Sequence, residues 1–329
     1  KPQIFYTGRK VMDTITGNSF YFDFEVRFME LLQTTLGEKA IGVMSFFSAF
    51  GEELILVLIL GFLFWCYDKE FGIYVGTNIA IGLVLNPMIK NIFLRRRPYF
   101  DHETINCYRM VDSEADMYDI AAQGFSFPSG HSTNSITAYG SIYRYKKNRF
   151  FKVAAFALPL LVGFSRMIVG VHYPTDVLVG WLLGLVIILV FPMIIQKLGT
   201  ERRWIAFLLI FLFGCIGLFY CKTSDYFTGL GILGGFFLSA EYERRFVRFE
   251  YPKSKIFYVT RILGGGMAYL IFNTLLKLPF DPEFLSSGTL SAGLIRLIRY
   301  FIVGFISIGL YPHLFKFEKH FIKKDTKSA

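Results

Sequence analysis

Three short polar segments of this chain contain the residue types that phosphoryl transfer through a histidine requires. They are Lys90–Pro98 (KNIFLRRRP), Pro128–His131 (PSGH) and Ser165–Asp176 (SRMIVGVHYPTD). Together they supply cations for phosphate oxygens, a histidine that can attack phosphorus, a carboxylate that can orient it and a second histidine that can protonate a leaving group. Each segment alone is a weak signal, because a cation at a span end usually reaches the lipid headgroups and Pro-Ser-Gly is usually a turn. Their joint occurrence favours an enzyme.

The first chemical requirement is a set of fixed donors for the phosphate oxygens. Lys90, Arg97 and Arg166 are the cationic candidates. Lys90 and Arg97 are separated by about two helical turns, so they share one face of a helix end. Ser129 and Gly130 precede an apolar run and are expected at a helix N-terminus, where free N–H groups and the helix dipole bind anions. Gly130 also allows the backbone to approach a ligand closely.

The second requirement is a nucleophile with an acid–base partner. His131 and His172 are two of the five histidines in the chain. Asp176 follows His172 after Pro174 and Thr175, which indicate a turn into a helix start. The Asp176 carboxylate can hydrogen-bond one imidazole nitrogen of His172 and leave the other nitrogen free to attack phosphorus. His131 can protonate the departing alkoxide and then activate water.

The bulk composition predicts a polytopic helical membrane protein. The 329 residues are 53% hydrophobic and 18% charged, with a mean hydropathy of +0.45, whereas soluble domains carry about 25% charged residues. The net charge of +10 comes from Lys and Arg gathered at the ends of apolar runs, as in loops that face anionic lipid, so nucleic-acid binding is not expected. The four cysteines lack metal-ligand spacing, and a disulfide between Cys107 and Cys221 stays open.

Nine apolar runs approach or reach the length of about 20 residues that crosses a bilayer. They cover residues 52–67, 70–94, 131–147, 150–171, 175–197, 203–220, 225–242, 255–277 and 286–314. Before them, Phe20–Leu36 alternates apolar and charged faces at helical spacing. This segment is expected either to lie flat at the membrane interface or to pack on the bundle facing water. Gly37–Gly51 could belong to a further span.

Clusters of Lys and Arg give the expected orientation. Four basic stretches fall on one side of a nine-span protein, and the positive-inside rule makes that side the cytoplasm. They begin at Arg144, Lys197, Glu241 and Lys316. The three polar segments then all reach the opposite, extracytoplasmic side. Arg95–Arg97 break the charge rule there, which we interpret as a sign of a bound anion.

The chain divides into three expected parts. Residues 1–50 form an N-terminal amphipathic or interfacial segment, residues 51–198 form a phosphatase core with five spans, and residues 199–329 form a four-span extension. The N-terminal part begins polar and has no small-residue cleavage pattern, so a cleavable signal peptide is not expected. The extension has no chemical motif, and it is expected to shape a lipid groove, to form a dimer or to carry a transport function.

Two further polar features allow more than one interpretation. The acids within Tyr99–Phe127 are expected either to form an ordinary solvated loop or to select substrates by headgroup charge. Arg296 and Arg299 lie inside the last apolar run, where charges are costly. They are expected either to pair with an acid, for which Glu241 and Asp225 are candidates, or to approach the substrate headgroup.

The spelling and order of the three segments resemble the tripartite signature of the type 2 phosphatidic acid phosphatase superfamily. The signature reads K-x6-RP at Lys90–Pro98, PSGH at Pro128–His131 and SR-x5-H-x3-D at Ser165–Asp176, and no motif position departs from it. The resemblance covers roughly Gly51–Leu198. The layout of nine apolar runs is more similar to the glucose-6-phosphatase and sphingosine-1-phosphate phosphatase branches than to the minimal six-span bacterial lipid phosphatases.

The resemblance implies a metal-independent phosphatase that needs no cofactor. His172 would be its nucleophile, Asp176 the partner of that histidine, and His131 the general acid and base. The implied phosphate ligands are Lys90, Arg97, Ser129, Gly130 and Arg166.

The expected function is hydrolysis of a lipid phosphomonoester or diphosphate at the extracytoplasmic face, through a phosphohistidine. A lipid is expected because the site lies at the membrane edge, where an acyl chain can stay in the bilayer. A prenyl diphosphate of the undecaprenyl type, a soluble sugar phosphate and a lipid phosphotransferase reaction are alternatives, as is a non-catalytic protein that binds or transports a lipid phosphate. The expected partners are this substrate, membrane lipids and, as one option, a second copy of the chain, in the cell membrane with a cytoplasmic C-terminus.

Overall fold

The computed structural model describes residues 17–252 and 254–318, and these residues are 78% helical with no strand among them. The predicted all-α class is therefore confirmed. The α-helices are α1 (Asp23–Thr35), α2 (Glu38–Ser48), α3 (Glu53–Phe62), α4 (Lys69–Phe93), α5 (Pro98–Asp101), α6 (Ile120–Gln123), α7 (Gly130–Ser135), α8 (Ser141–Lys146), α9 (Arg149–Ile168), α10 (Pro174–Cys215), α11 (Ser224–Tyr242), α12 (Lys255–Leu275), α13 (Pro282–Leu285) and α14 (Leu290–Gly304).

Short π-helical or 3-10 segments extend these helices or join them. They are Ala49–Gly51, Leu63–Tyr67, Ile136–Gly140, Ile216–Phe219, Glu243–Val247, Phe305–Leu310 and Tyr311–Phe317. The parts of the predicted N-terminal segment and basic C-terminal tail at residues 1–16 and 319–329 lie outside the described residues. All four cysteines are free thiols, so the disulfide that the sequence left open is not formed.

Local sequence signals set where several helices begin. The side chains of Asp68, Asn148 and Thr289 each accept a hydrogen bond from the backbone N–H three residues later, and so cap α4, α9 and α14. Pro98 and Pro174 occupy the first turn of α5 and α10, where the missing N–H has no intrahelical partner to lose. These signals place the starts of the helices that follow the first and third polar segments.

Five helices are long and apolar enough to cross a membrane by length and composition, or six if the bent pair Lys39–Gly51 and Glu53–Tyr67 forms one span. The two members of that pair meet at 49°. The longest apolar helix, Pro174–Phe219, is interrupted at Gly199, whose φ of 68° is not helical. The polytopic helical bundle is thus confirmed, while the count of nine spans stays a prediction.

Helix α4 lies at the centre of the bundle and packs against α7, α10 and α11. The largest apolar core surrounds it and includes Ile81, Leu230 and Phe236. At Gly229 of α11 a Cβ atom would collide with the carbonyl group of Leu83 on α4. Close helix contact through a small residue therefore joins the predicted core to the predicted C-terminal extension.

Ion pairs join the helices at the end of the bundle away from the three polar segments. Arg203 is buried and contacts Glu70 at 2.7 Å and Glu241 at 2.9 Å. Arg261 is also buried and contacts Glu318 at 2.6 Å. Several cations of the predicted cytoplasmic side thus bind acids of the same chain, in addition to any interaction with lipid headgroups.

Arg296 and Arg299 form no ion pair with an acid in the described part of the chain. The prediction that Glu241 pairs with these arginines is wrong, because its carboxylate binds Arg203 and Arg244 at the basic end of the bundle. Asp225 lies 3.7 Å from Lys90 instead, although its charge also acts on Arg296. Arg299 is buried, and its Nε atom has no hydrogen-bond partner among the described residues.

Helix α1 lies in the segment predicted to be amphipathic. One of its faces, which carries both polar and apolar side chains, packs on the bundle. Glu25, Met29 and Gln33 are buried on this face, whereas Phe24 and Leu31 are exposed. The Gln33 side chain donates to two backbone carbonyls, one in the loop after α5 and one at the end of α9, both at 2.9 Å. A position of the exposed face at the membrane interface stays a prediction.

We predict that Gly229→Ala destabilises the protein by about 1–3 kcal/mol, because the added methyl group overpacks the contact between α4 and α11. The control is Gly42→Ala in α2, where a Cβ would meet nothing within 4 Å and alanine favours the helix. Thermal unfolding of both purified variants in detergent checks this. Equal midpoints for the two variants would contradict it.

Candidate active site

The three polar segments meet at one end of the bundle. Lys90 lies in the last turn of α4, and Arg97 follows that helix directly. Ser129 is the N-cap of α7, and its N–H donates to the backbone carbonyl of Asp176 at 2.9 Å. His172 lies in the turn between α9 and α10, just before that aspartate. The backbone bond between the second and third segments fixes their relative position.

His172 and Asp176 are both buried and face each other. The imidazole Nδ1 lies 3.5 Å from the Asp176 Oδ2 atom, which also accepts a 2.8 Å hydrogen bond from the Tyr173 N–H. The other ring nitrogen, Nε2, lies 3.5 Å from Nη1 of Arg97. Catalytic hydrogen bonds are often long before substrate binds and shorten afterwards. The Asp176 carboxylate thus faces Nδ1, and Nε2 faces the guanidinium group of Arg97, a candidate phosphate ligand.

Burial and positive charge keep His172 unprotonated. Burial lowers the pKa of His172 well below its ordinary value of 6.5, and the charges of Arg97 and Arg166 lower it further, as does Lys90. A neutral imidazole has the free lone pair that a nucleophile needs. The surrounding cations therefore have two effects. They can bind a phosphate, and they favour the neutral form of His172.

Arg97 is held rigidly by backbone carbonyls. Its Nε donates to the carbonyls of Gln123 and Gly124 at 2.9 and 3.1 Å, and its Nη1 donates to that of Val171 at 3.0 Å. No carboxylate among the described residues contacts this buried guanidinium, and the carbonyls that bind it carry no net charge. Its positive charge is therefore not neutralised. Such a fixed and uncompensated cation suits the oxygens of a phosphate.

Arg166 resembles Arg97 in its burial and in the lack of an acid partner. It lies in the last turn of α9, and its Nη1 donates to the Ser48 hydroxyl at 3.1 Å. Its Nε has no hydrogen-bond partner in the described part of the chain. The Ser48 hydroxyl also bonds that of Ser165 at 2.7 Å. Two buried guanidinium groups near one histidine leave a strong excess of positive charge in the site.

The second segment lies beside Lys90. An ideal Cβ at Gly130 would lie 3.9 Å from Nζ of Lys90, so the lysine approaches the N-terminus of α7. Asn86 on α4 donates to the Thr133 hydroxyl at 3.0 Å and to the Pro128 carbonyl at 3.3 Å. The Asn86 side chain therefore fastens the helix that carries Lys90 to the Pro-Ser-Gly-His turn.

His131 occupies the first turn of α7 and is partly exposed. A Cβ at Gly51 would lie 2.9 Å from the His131 carbonyl oxygen, so the 3-10 turn Ala49–Gly51 before α3 packs against this histidine. The charge of His131 also acts on His172. All eight residues that the sequence singled out thus lie in one region, and their catalytic and ligand roles stay predictions.

Arg95 and Arg96 do not join the phosphate site, and the interpretation of Arg95–Arg97 as one anion-binding cluster is corrected. Arg95 is fully buried and contacts Glu25 at 2.8 Å and Asp176 at 2.7 Å. Arg96 contacts Asp101 at 2.7 Å. These two guanidinium groups are neutralised by acids of the chain, so only Arg97 of the three is available to an anion.

Glu25 is a buried functional candidate that the sequence analysis missed. One of its carboxylate oxygens binds Arg95, and the other accepts from the backbone N–H of Thr175 at 2.9 Å and from its hydroxyl at 2.6 Å. Burial raises the pKa of Glu25, but these hydrogen bonds outweigh it and the net pKa is lowered. The only sequence signal was an acid on the packed face of an amphipathic helix.

The loop between the first two segments uses several of its acids for its own structure. Asp112, Asp116 and Asp119 each accept a hydrogen bond from the backbone N–H two residues later, at 2.8–2.9 Å. Such contacts stabilise tight turns. Asp101 pairs with Arg96, as described above. The interpretation of these acids as selectors of substrate headgroups stays a prediction.

Comparisons with known proteins match both halves of the chain. Residues 71–200 match the model of the PAP2 superfamily, and residues 227–320 match that of the PAP2 superfamily phosphatase transmembrane extension. Together the two models cover more than half of the chain. The chain belongs to the PAP2 superfamily. The family predicted from the three segments is confirmed, and the extension beyond the core also has a PAP2 counterpart.

Several curated PAP2 proteins are similar to this chain. It is 26% identical over 172 residues to an undecaprenyl-diphosphatase of Sulfolobus acidocaldarius. The matched region covers 52% of this chain and 78% of that protein. It is 28% identical over 184 residues to phosphatidylglycerophosphatase B of Bacillus subtilis, with 52% and 81% covered. The chain is also 31% identical over 120 residues to undecaprenyl-diphosphatase BcrC of Bacillus subtilis. That match covers 36% of this chain and 55% of that protein.

One solved structure is also similar. It is the crystal structure of a transmembrane PAP2-type phosphatidylglycerolphosphate phosphatase from Bacillus subtilis, with 25% sequence identity and a TM-score of 0.42. The match covers 54% of this chain and 87% of that chain.

We predict that Glu25→Gln lowers kcat roughly tenfold and leaves KM nearly unchanged, because removal of a residue that supports a catalytic group typically costs 10–100-fold. Without the Glu25 charge, Arg95 neutralises Asp176 more fully and weakens its support of the His172 ring. Glu30→Gln on the same helix is the control, because the Glu30 carboxylate accepts a hydrogen bond from the Thr104 hydroxyl of a loop and forms no ion pair with Arg95 in the described part of the chain. Steady-state kinetics check this, and equal kcat values for both variants would contradict it.

We predict that the acidic limb of the kcat/KM profile lies below pH 6.5, because protonation of His172 removes the attacking lone pair and its pKa is lowered below that value. Arg166→Gln removes one of the charges that lower this pKa, so the limb should move to higher pH. The ionisation of the substrate is the same for both proteins, so the difference between profiles reports the enzyme. Superimposable limbs would refute the electrostatic argument.

Proposed function

We propose that this PAP2 protein is an integral-membrane, metal-independent phosphatase that hydrolyses a lipid phosphomonoester or diphosphate through a phosphohistidine. The observation that carries the proposal is the buried pair of His172 and Asp176, with the free imidazole Nε2 turned toward the fixed guanidinium of Arg97. A phosphate bound by that cation would present its phosphorus atom to the nucleophile.

His172 attacks phosphorus through Nε2, and the bond from phosphorus to the leaving oxygen breaks. Phosphorylation makes the imidazole ring cationic, and the Asp176 carboxylate beside Nδ1 stabilises that charge. His131 donates a proton to the departing alkoxide. It then accepts a proton from water, which attacks the phosphohistidine and releases inorganic phosphate together with a free His172.

Five groups bind the phosphate oxygens in this proposal. Two buried guanidinium groups and one ammonium supply the charge, since a phosphate monoester carries about two negative charges. The N-terminus of α7 adds backbone N–H donors and the positive end of a helix dipole. These proposed ligands are Lys90, Arg97, Ser129, Gly130 and Arg166. They would stabilise the charge that builds on the phosphoryl oxygens in the transition state.

The substrate class is supported by the relatives and by the membrane helices. Two similar proteins are named undecaprenyl-diphosphatases and a third phosphatidylglycerophosphatase B. These names share a phosphate or diphosphate on a long-chain lipid. A prenyl diphosphate is the second candidate substrate that these names favour. Transfer of the phosphoryl group to an acceptor other than water would use the same residues.

We further propose nine spans, with the phosphatase site on the extracytoplasmic side and the C-terminus in the cytoplasm. The helical break at Gly199 supports a division of the helix Pro174–Phe219 into two spans. The basic loops favour the cytoplasm for the end opposite the site. The proposed division at residue 198 into a core and an extension is supported by the two family models, the first of which ends at residue 200 and the second of which begins at residue 227.

We expect the protein, purified in detergent with EDTA present, to release phosphate from at least one compound in a panel of lipid phosphates, prenyl diphosphates and sugar phosphates. His172→Ala should lower the rate by at least about 10³-fold, as expected for loss of a nucleophile. His131→Ala should also lower the rate strongly, since the group that protonates the leaving oxygen and activates water is missing. The control is His313→Ala, because His313 bonds Tyr242 instead of lining the site.

Phosphate release that EDTA abolishes, or release that His172→Ala leaves intact, would overturn the proposed mechanism. Binding of lipid phosphates without turnover by the folded protein would favour a lipid-binding or transport role instead. Retention of phosphate on an added alcohol, with little released to water, would identify a phosphotransferase.

A further inference from the structure

An apolar cavity of about 380 Å³ lies between the phosphatase core and the C-terminal extension. Helices α3 and α4 of the core form one wall, and α11, α12 and α14 of the extension form the others. Nearly all of its lining side chains are aliphatic, aromatic or glycine. The polar exceptions are Glu53, Tyr269 and Tyr300 at one end, together with Ser307. Neither family half alone could enclose this space.

The cavity is elongated along the helices. Its lining on α3 and the following π-helical turn runs from Glu53 to Trp65, which is about 18 Å at the rise of an α-helix. On α12 it follows a stripe at helical spacing that includes Ile262, Gly265 and Gly266. A narrow apolar space of this length, parallel to spanning helices, has the shape of an extended hydrocarbon chain.

One side of the cavity opens toward the surface that faces lipid in a membrane. Leu54 on α3 and Leu270 on α12 line it, and these side chains are 70% and 63% exposed. In a bilayer such side chains contact lipid tails, so a chain can enter sideways without crossing water. The opening therefore favours a molecule that is itself a membrane lipid.

The polar end of the cavity adjoins the phosphate site. Gly51, which precedes α3, packs against the His131 backbone, and Glu53 follows two residues later. The charge of Asp225 acts on Glu53, and the Asp225 carboxylate lies 3.7 Å from the Lys90 ammonium. The hydrocarbon end and the phosphate end of one amphipathic molecule could thus be held at the same time.

We propose that this cavity binds the hydrocarbon chain of the lipid phosphate whose headgroup lies at His172. The inference rests on the proposed function and deepens it, because it assigns substrate recognition to the C-terminal extension. The substrate class is then a lipid phosphate with a long and flexible chain, rather than a soluble sugar phosphate. Glu53, Tyr269 and Tyr300 contact the polar linkage between the chain and the phosphate.

A second apolar cavity, of about 370 Å³, does not share these features. It is lined by α10, α11 and Phe301 and lies near Glu241 and Arg245 at the basic end of the bundle. Its lining residues include none from the three polar segments and none from α3 or α4. A lipid held there would have its headgroup far from the proposed nucleophile, so we assign it no part in substrate binding.

Gly266 offers a sharp test, because it lines the cavity and a Cβ there would meet nothing within 4 Å. Gly266→Leu fills the space without a backbone clash, and leucine is a better helix former than glycine. Each methylene excluded from the cavity costs about 0.8 kcal/mol, so displacing two or more lowers kcat/KM about tenfold for a long-chain lipid phosphate. A short-chain analogue with the same headgroup should change less than about twofold. Met267→Phe, on the exposed face of α12 and outside the lining, is the matched control.

Trp65 provides a measurement that needs no turnover, because its ring lines the far end of the cavity. An alkyl phosphonate brominated near the end of its chain should quench tryptophan fluorescence, and an unbrominated long-chain phosphonate should reverse the quenching. Both Trp65→Phe and Gly266→Leu should remove this reversible component.

The outcomes separate the two proposals. Equal effects of Gly266→Leu on both chain lengths, or quenching that survives Trp65→Phe, would overturn the cavity assignment and leave the phosphatase intact. If the unsubstituted protein hydrolyses no substrate, the proposed function fails, and the quenching experiment still decides whether the cavity binds the chain.

Discussion

The buried contact between Arg95 and Asp176 is the interaction on which the arrangement of the site depends. Charges removed from water are costly unless they are paired and hydrogen-bonded. Arg95 satisfies this condition because Glu25 and Asp176 lie on either side of its guanidinium group, and the Phe20 carbonyl and the Thr175 hydroxyl complete its bonds. Removal of Arg95 would leave two buried carboxylates without their partner, so this guanidinium group holds Glu25 and Asp176 in place.

This ion triad also joins separate parts of the chain. Glu25 belongs to the N-terminal helix, Arg95 to the first polar segment and Asp176 to the third. The second segment is tied to the same residue through the bond from the Ser129 N–H to the Asp176 carbonyl. One carboxylate oxygen of Asp176 therefore lies 3.5 Å from the His172 ring, while its other oxygen and its backbone connect the surrounding elements. Because these contacts exclude water, the geometry is set before a substrate arrives.

A second constraint is the excess of positive charge around His172. Arg97 and Arg166 are buried without an acid partner among the described residues, and backbone carbonyls or hydroxyls hold them instead. Burying such charges costs stability, and an anionic ligand would recover that cost. The same field lowers the pKa of His172. The proposed anion binding and the proposed activation of His172 would thus both follow from one electrostatic arrangement, to which the neutralised Arg95 and Arg96 do not contribute.

The C-terminal extension contributes packing and an apolar cavity, whereas the residues of the candidate site lie in the core. Helix α11 of the extension packs closely on α4 through Gly229, while α12 and α14 line, together with α3, an apolar space open to lipid. Tight packing on one side and a cavity on the other follow from where small residues lie. Such an arrangement can hold a flexible chain without moving the helices that carry the cations.

The sequence by itself determined the family, the helical membrane class and the eight residues of the candidate site. These features are local, because motif spelling, apolar run length and cap residues are readable without knowing which distant segments touch. It selected Arg97 as a phosphate ligand but also attributed Arg95 and Arg96 to a bound anion, since adjacent arginines look alike until their partners are known. It could not find Glu25, whose role depends on a contact with a residue 70 positions away. Only the tertiary structure decided which charges are neutralised and which stay free, because pairing over such distances depends on how the helices pack.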